Sequence, residues 1–325
     1  MKYLLIGDPH FTPGNGEFTQ ALQRRACELA PRVDHIIVLG DVLDTFERTN
    51  TLVLQRALKF LYALADIKPT ICIIGNHDLP SDRHEFSDIH AFYGQRYPQL
   101  TFVDTEPMEL DGCLYVPYLP PGRFFPALQE RGYWPKNYEY IFCHQEFAGT
   151  VYDGGDVSRV EEDIPDEFTG MIISGHIHKS QHREKILYVG TPYQTSFGED
   201  EHKGLYILDR DKGTFALHHL RYAPVRRTLQ ISYTEFLAYD WTTLKRRSIY
   251  RIQVVCSNSS EQSAVRKHRH TQELRGKGHH VFSILCDEVK VLQLTPIKPQ
   301  LNFKLGLHGH LKNNAPHLIK LFDQL

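Results

Sequence analysis

Five short strings hold the side chains that could carry out a metal-dependent reaction. They are Asp8-Pro9-His10, Gly40-Asp41-Val42-Leu43-Asp44, Gly75-Asn76-His77-Asp78, Cys143-His144 and Gly175-His176-Ile177-His178. Carboxylate, amide oxygen and imidazole make a hard to intermediate donor set without thiolate. Such a set suits Mn, Fe or Zn at a reactive centre better than a cysteine-rich structural zinc site. Two cations about 3.5 to 4 Å apart need an anionic ligand between them, and together they clamp the attacking and leaving oxygens of a phosphoryl centre and acidify a water. Asp41 is the candidate bridge. Asp8, His10 and His178 would serve the first cation, and Asn76, His144 and His176 the second. His77 follows ligand Asn76 directly, so its ring is expected beside the metals without ligating them. There it would stabilise charge or protonate the leaving oxygen, an effect of about 100- to 10,000-fold. Asp44 either holds that imidazole in its productive orientation or caps a helix over Thr45 to Leu64.

Each string follows a short apolar run: Tyr3 to Ile6, His35 to Leu39, Thr70 to Ile74, Tyr140 to Phe142 and Met171 to Ile173. Brief, β-branched or aromatic, and bounded by Gly or a polar residue, these runs predict buried strands. Between them, Thr19 to Ala30 and Thr51 to Asp66 repeat Leu, Ala and Phe at helical spacing. Strand alternating with helix predicts an α/β domain. Ligands in such sheets bind beyond the carboxyl ends of the strands, where every candidate here falls, so residues far apart in sequence can converge.

Asp-x-His, Gly-Asp-x-x-Asp, Gly-Asn-His-Asp, a strand-end His and Gly-His-x-His together resemble the calcineurin-like metallophosphoesterase superfamily, over residues 8 to 178. The resemblance implies a four-layer α/β/β/α sandwich with two mixed sheets, followed here by a small α/β capping domain. Protein phosphatases of this superfamily carry an Arg before the Asn-His string and an Asp-Arg-Gly after the second motif. This chain has Ile74-Gly75-Asn76 and Asp44-Thr45-Phe46 instead. That departure argues against a phosphomonoesterase of the protein-phosphatase kind. The stretch Gly190-Thr191-Pro192-Tyr193-Gln194-Thr195-Ser196-Phe197-Gly198-Glu199 is similar to a segment of the SbcD-type recombination nucleases. That likeness implies a Mn-dependent DNA phosphodiesterase with single-strand endonuclease and 3'-to-5' exonuclease activity. It further implies a homodimer, an SbcC-type ATPase partner and a compact, bacteriophage-like version of the subunit.

Net charge is only −2, which by itself does not point to nucleic acid. Residues 222–281, however, hold 11 Lys and Arg against 4 Asp and Glu. A basic block beside an acidic metal domain fits phosphate neutralisation; a solvated basic face is the alternative. Within it, Ser248 to Cys256 and Val281 to Cys286 read as strands and Ser260 to Leu274 as one helix. In position and pattern the block resembles the capping domain of SbcD-type nucleases. Arg266, Lys267, Arg269, Arg275 and Lys277 are its candidate DNA contacts, and Tyr239 and Trp241 are either base-stacking or core residues.

The chain has 325 residues and 41% hydrophobic content, enough for two domains. The divisions expected are 1–221 for the nuclease domain, 222–290 for the cap and 291–325 for a linker and tail. Ala315 to Leu325 is amphipathic and either docks on its own body or binds a partner. Six Cys without a Cys-x-x-Cys pair argue against disulfides, and no apolar run approaches a membrane span, so a reducing cytoplasm is expected. The Gly-rich string Asp153-Gly154-Gly155-Asp156 lacks the Lys of a phosphate-cradling loop and reads as a surface loop near the site. Two rivals remain: hydrolysis of a small phosphodiester by the same metals, and a non-catalytic scaffold on the same fold.

Overall fold

The computed structural model describes residues 1–285, apart from 45–47, 82, 84, 87–91, 93–95, 135–136 and 161. The linker and amphipathic tail expected after residue 290 lie outside the described residues.

In chain order the strands begin with β1 (Lys2–Ile6), β2 (His35–Leu39), β3 (Thr70–Ile73), β4 (Leu100–Val103) and β5 (Met108–Leu110). Next come β6 (Cys113–Tyr115), β7 (Tyr140–Cys143), β8 (Met171–Ser174), β9 (Gln181–Arg183) and β10 (Ile186–Tyr188). The last are β11 (Gly204–Asp209), β12 (Thr214–His219), β13 (Val225–Ser232), β14 (Ser248–Cys256) and β15 (His280–Leu285). The helices are α1 (Gly16–Leu29), α2 (Thr51–Ala65), α3 (Phe124–Glu130), α4 (Tyr233–Ala238), α5 (Ser259–Lys267) and α6 (Arg269–Gly276).

Two six-stranded mixed sheets dominate, in the orders β12-β11-β1-β2-β3-β4 and β5-β6-β7-β8-β10-β9. In the first, β1 to β4 run parallel, with β1 and β2 in register at Leu4–Ile36 and Ile6–Val38. In the second, β6, β7, β8 and β10 run parallel. Alternate side chains of β1 explain the layering. Leu4 and Ile6 join α1 and α2 residues such as Leu22, Ala26, Phe60 and Leu61 in one core. Tyr3 and Leu5 face the second sheet, in a core shared with Tyr115, Phe142, Ile173 and Leu187. The outer face of the second sheet packs on α3 through Phe124, Ala127 and Leu128. Strands covered on both faces are apolar at every position, which is why they read as unbroken runs. The result is the expected four-layer α/β/β/α sandwich.

A third sheet has the order β13-β14-β15. The described chain forms two compact units: Met1–Leu229 with Asp240–Ile252 and Gly276–His280, and Gln230–Tyr239 with Gln253–Arg275 and the described residues 281–285. Within the second unit the single helix expected over Ser260 to Leu274 is divided into α5 and α6. His268 between them takes an extended ψ of 141°, and its ring Nδ1 accepts from the His270 N–H at 3.2 Å. The ring thus does the work of an N-cap and starts a new helix. The helix-cap alternative for Asp44 also fails. α2 starts at Thr51, and Asn50 is its N-cap, accepting from the N–H groups of Leu52 and Val53. Tyr239 and Trp241 are half-buried.

Candidate metal centre

Parallel strands bring their carboxyl ends to one edge, and the two sheets contribute to it together. Asp8 and His10 follow β1, Asp41 and Asp44 follow β2, Asn76 and His77 follow β3, His144 follows β7, and His176 and His178 follow β8. All seven candidate ligands converge, with His77 and Asp44 beside them.

The first cluster joins Asp8, His10 and Asp41, with His10 Nε2 2.9 Å from His178 Nε2 and 3.7 Å from Asp41 Oδ2. The second joins Asp41, His144 and His176, with Asp41 Oδ2 3.2 Å from His144 Nε2. Asn76 Oδ1 lies 3.0 Å from both His144 Nε2 and His176 Nδ1. Asp41 belongs to both of these clusters, and a third group of donors, His10, Asp44 and His77, lies beside them.

Tautomers are set by the groups behind the rings. His144 Nδ1 lies 2.7 Å from the Leu39 carbonyl, so Nδ1–H donates there and Nε2 turns its lone pair inward. His10 Nδ1 lies 3.3 Å from Asp44 Oδ1, leaving Nε2 toward the cluster. Asp44 Oδ1 is also 3.5 Å from His77 Nδ1, so one carboxylate faces both imidazoles. The peptide N–H of His77 donates to Asp41 Oδ1 at 2.9 Å, and that of His176 donates to Asp8 Oδ1 at 2.7 Å.

Electrostatics explain why cations belong here. Burial opposes charge on His10 and His144, yet the carboxylates around them push both up to about 9. Asp44 and Asp41 act on His10, and Asp41 with Asp8 on His144. Burial also opposes ionisation of Asp41, but His144, His10 and His77 hold its carboxyl well below the usual range. Burial and the neighbouring His10 push His178 down to about 4. Buried carboxylates must be compensated by positive charge, and metal cations would supply it in place of imidazole protons. Asp8 Oδ2 is buried and accepts no hydrogen bond, and pairs of imidazole nitrogens face each other within 3.3 Å. Converging lone pairs around an orphaned carboxylate oxygen fit divalent cations.

The backbone is bent to achieve this. Asp8, His10, Asp41 and His176 have φ of 38°, 43°, 49° and 73°, a region that costs side-chain-bearing residues about 1–3 kcal/mol each. Gly40 has φ 91°, and a Cβ there would sit 2.3 Å from His144 Nδ1. A Cβ on Gly75 would sit 2.3 Å from Asp41 Oδ1. The glycines of the motifs make room for the ligands.

Several supporting residues escaped the sequence reading. Asp78 accepts from the N–H groups of Val42, Leu43 and Gly75, joining the second and third strings. Burial and the charge of Asp41 push its carboxyl up to about 6. Its place in Gly-Asn-His-Asp was the available signal. Glu146 Oε2 lies 3.7 Å from His176 Nε2, while its Oε1 accepts from the Tyr152 hydroxyl, which tethers the turn at Val151–Val157 to the centre. Lys203 Nζ donates to the His178 carbonyl at 2.8 Å and pairs with Glu199, while Thr195 Oγ1 is 3.4 Å from His178 Nδ1. The Gly190 to Glu199 segment therefore braces one of the candidate ligands. Asn15 and Tyr193 latch the first string, donating to the His10 and Pro9 carbonyls.

The five candidate DNA contacts are exposed. Arg266 and Lys267 end α5, Arg269 opens α6, and Lys277 follows it. Arg275 donates to the Val281 carbonyl at 2.9 Å. The five cysteines described are free thiols, and no described helix is long and apolar enough to cross a membrane.

Comparison with known proteins agrees with the geometry. The family model for calcineurin-like phosphoesterases matches residues 1–180. The protein named "Putative phosphoesterase 244L" of Invertebrate iridescent virus 6 is 33% identical over 273 residues, covering 80% of this chain and 95% of the relative. "Putative phosphoesterase 078R" of Invertebrate iridescent virus 3 is 32% identical over 210 residues, 61% of this chain and 59% of that one. "Exonuclease subunit 1" of Enterobacteria phage T4 is 24% identical over 226 residues, 65% of each chain. With the motifs, the two-sheet sandwich and the converging donors in agreement, the chain belongs to the calcineurin-like phosphoesterase family and is a metal-dependent phosphoester hydrolase.

Proposed function

We propose that this protein is a Mn-dependent DNA phosphodiesterase, acting as a single-strand endonuclease and 3'-to-5' exonuclease. Asp8, His10 and His178 would hold one cation and Asn76, His144 and His176 the other, with Asp41 available to both. When bound, the cations supply Lewis acidity to the phosphoryl centre and acidify the attacking water. The membership of Asp41 in both donor clusters carries this reading of the chemistry. A polymeric DNA substrate is supported by the name of the phage T4 relative, an exonuclease subunit.

The chain's own residues do the rest. Asp41 Oδ1, held by the His77 N–H, fixes the start of the turn that carries His77. Asp44 Oδ1, 3.5 Å from His77 Nδ1, orients that ring beside the donor clusters, where it would stabilise charge at the leaving oxygen. Lys203, Glu199 and Thr195 keep His178 in place. A homodimer and an SbcC-type ATPase complete the proposed assembly, and the exposed cations of α5 and α6 and Lys277 contact DNA.

The deciding assay compares single-stranded DNA, double-stranded DNA and a small chromogenic phosphodiester, each with Mn, Mg or chelator. Metal-dependent DNA cleavage is the expected result. Hydrolysis of the small diester without any DNA cleavage would point instead to a small-molecule phosphodiesterase.

A further inference from the structure

Away from the metal cleft, cationic side chains gather around one exposed aromatic ring. Tyr222 follows β12 and is 41% exposed. The Arg24 guanidinium, on the outer face of α1, lies 5.1 Å from its ring centroid, and the Arg247 guanidinium lies 5.3 Å from it. Arg221, Lys245 and Arg246 are the sequence neighbours of these residues, and all are exposed. Among the described residues, none of these five cations forms an ion pair. The acid nearest on α1, Glu28, is taken by Arg25 at 3.0 Å.

Three remote parts of the chain therefore converge on one ring and bring uncompensated positive charge with them. Attraction to the ring face holds each guanidinium in place but leaves its charge in full. Arg247 is kept there with φ 56°, a left-handed conformation fixed by the Val225 N–H donating to its carbonyl at 2.9 Å. Paired guanidiniums match the planar, bidentate geometry of phosphates. Attraction to one ring orders both guanidiniums in advance, so less freedom is lost when they meet a phosphate.

We propose that Arg24, Tyr222 and Arg247 form a docking point for the phosphate backbone of the nucleic acid whose phosphodiesters the metal cleft hydrolyses. This rests on the DNA-phosphodiesterase reading. The docking point is additional to the candidate contacts on α5 and α6. Its function is to hold the strand while the scissile bond sits in the cleft.

The test uses the full-length chain and a fluorescent single-stranded oligonucleotide, with affinity measured by anisotropy in chelator over a salt series. The double variant Arg24→Ala/Arg247→Ala should bind about ten-fold more weakly, and the slope of log affinity against log salt should fall by about 1.4, as two lost phosphate contacts require. Tyr222→Ala should weaken binding with little change in slope. Both variants should hydrolyse the small chromogenic diester like the wild type. Unchanged affinity and slope in the double variant, with the wild type binding DNA, would overturn the docking point alone. A wild type that hydrolyses the diester but binds no DNA would overturn the nucleic-acid reading beneath it. Loss of binding to phosphatidylserine vesicles, with DNA binding intact, would reassign the patch to a lipid surface and overturn the proposal too.

Discussion

Lys203 Nζ lies 2.9 Å from Glu199 Oε2, and both side chains are almost wholly buried, at 6% and 4% exposed. The same ammonium donates to the His178 carbonyl and to Thr191 Oγ1. A buried pair costs desolvation and keeps its value only when the remaining hydrogen-bonding capacity is filled. Here Thr195 and Ser196 complete the carboxylate. The segment that marks the resemblance to recombination nucleases is thus a clamp on the strand end that carries His178.

Glu199 gives this clamp a pH signature. Burial would raise its pKa, but Lys203, Thr195 and Ser196 outweigh it and hold the carboxyl down to about 2. The unfolded chain takes up the proton first, near its ordinary value. The contribution, about 3 kcal/mol, is therefore complete above about pH 5 and is lost as pH falls toward 2. In urea denaturation, Glu199→Gln should be clearly less stable than the wild type at pH 7. The gap should narrow by pH 3, and a constant gap would contradict this account.

Removing the ring of His77 should separate binding from chemistry. His77→Ala should retain most of its Mn affinity, because the ring is not one of the seven ligands assigned to the two cations, and should lose about 100- to 10,000-fold in turnover. Calorimetric titration with Mn, beside single-turnover kinetics, checks both halves.

Asp44 faces two imidazoles, so its loss should register in two ways. Asp44→Asn should weaken metal binding about 10- to 100-fold through His10. Raising Mn should restore occupancy but not full turnover, since His77 also loses its partner. Complete rescue by Mn would confine Asp44 to His10.

Gly40→Ala should damage the centre without touching a donor atom. A left-handed φ and a Cβ driven onto the His144 ring predict a destabilisation of more than about 2 kcal/mol. Metal affinity should fall with it, as read by thermal melts with and without Mn.

Chelation should soften the fold. Cations that bind only the folded state stabilise it by about 2.7 kcal/mol at a hundred times their dissociation constant. Melting temperature should rise stepwise as Mn is returned to the chelated protein.

Much of this was legible in the sequence because the strands that carry the ligands are buried on both faces. Tyr3 to Ile6 and Ile36 to Leu39 are unbroken apolar runs followed closely by the polar residues that matter. The α2 helix was also legible, from its apolar spacing. Its cap was not fixed by sequence, since both Asp44 and Asn50 have capping side chains, and only the chain's path chooses Asn50. The break at His268 depends on a ring accepting a peptide N–H two residues on, which leaves no trace in periodicity. The brace from Lys203 to His178 joins a side chain to a main-chain carbonyl 25 residues earlier, and carbonyls carry no sequence signal. Asp44 was read as a partner of His77, but its closer imidazole is His10, from a different strand.

The candidate ligands divide between the sheets: those up to Asn76 come from one, and those from His144 onward from the other. Neither sheet alone holds a complete donor set. During synthesis, a growing chain cannot assemble the centre until His178 has left the ribosome and the second sheet has closed on the first. Metal uptake is therefore a late event, and a chain cut anywhere between Asn76 and His144 leaves two fragments without a centre. Bound metal certifies that both halves have been made and joined, so the hydrolase stays inert until its fold is finished.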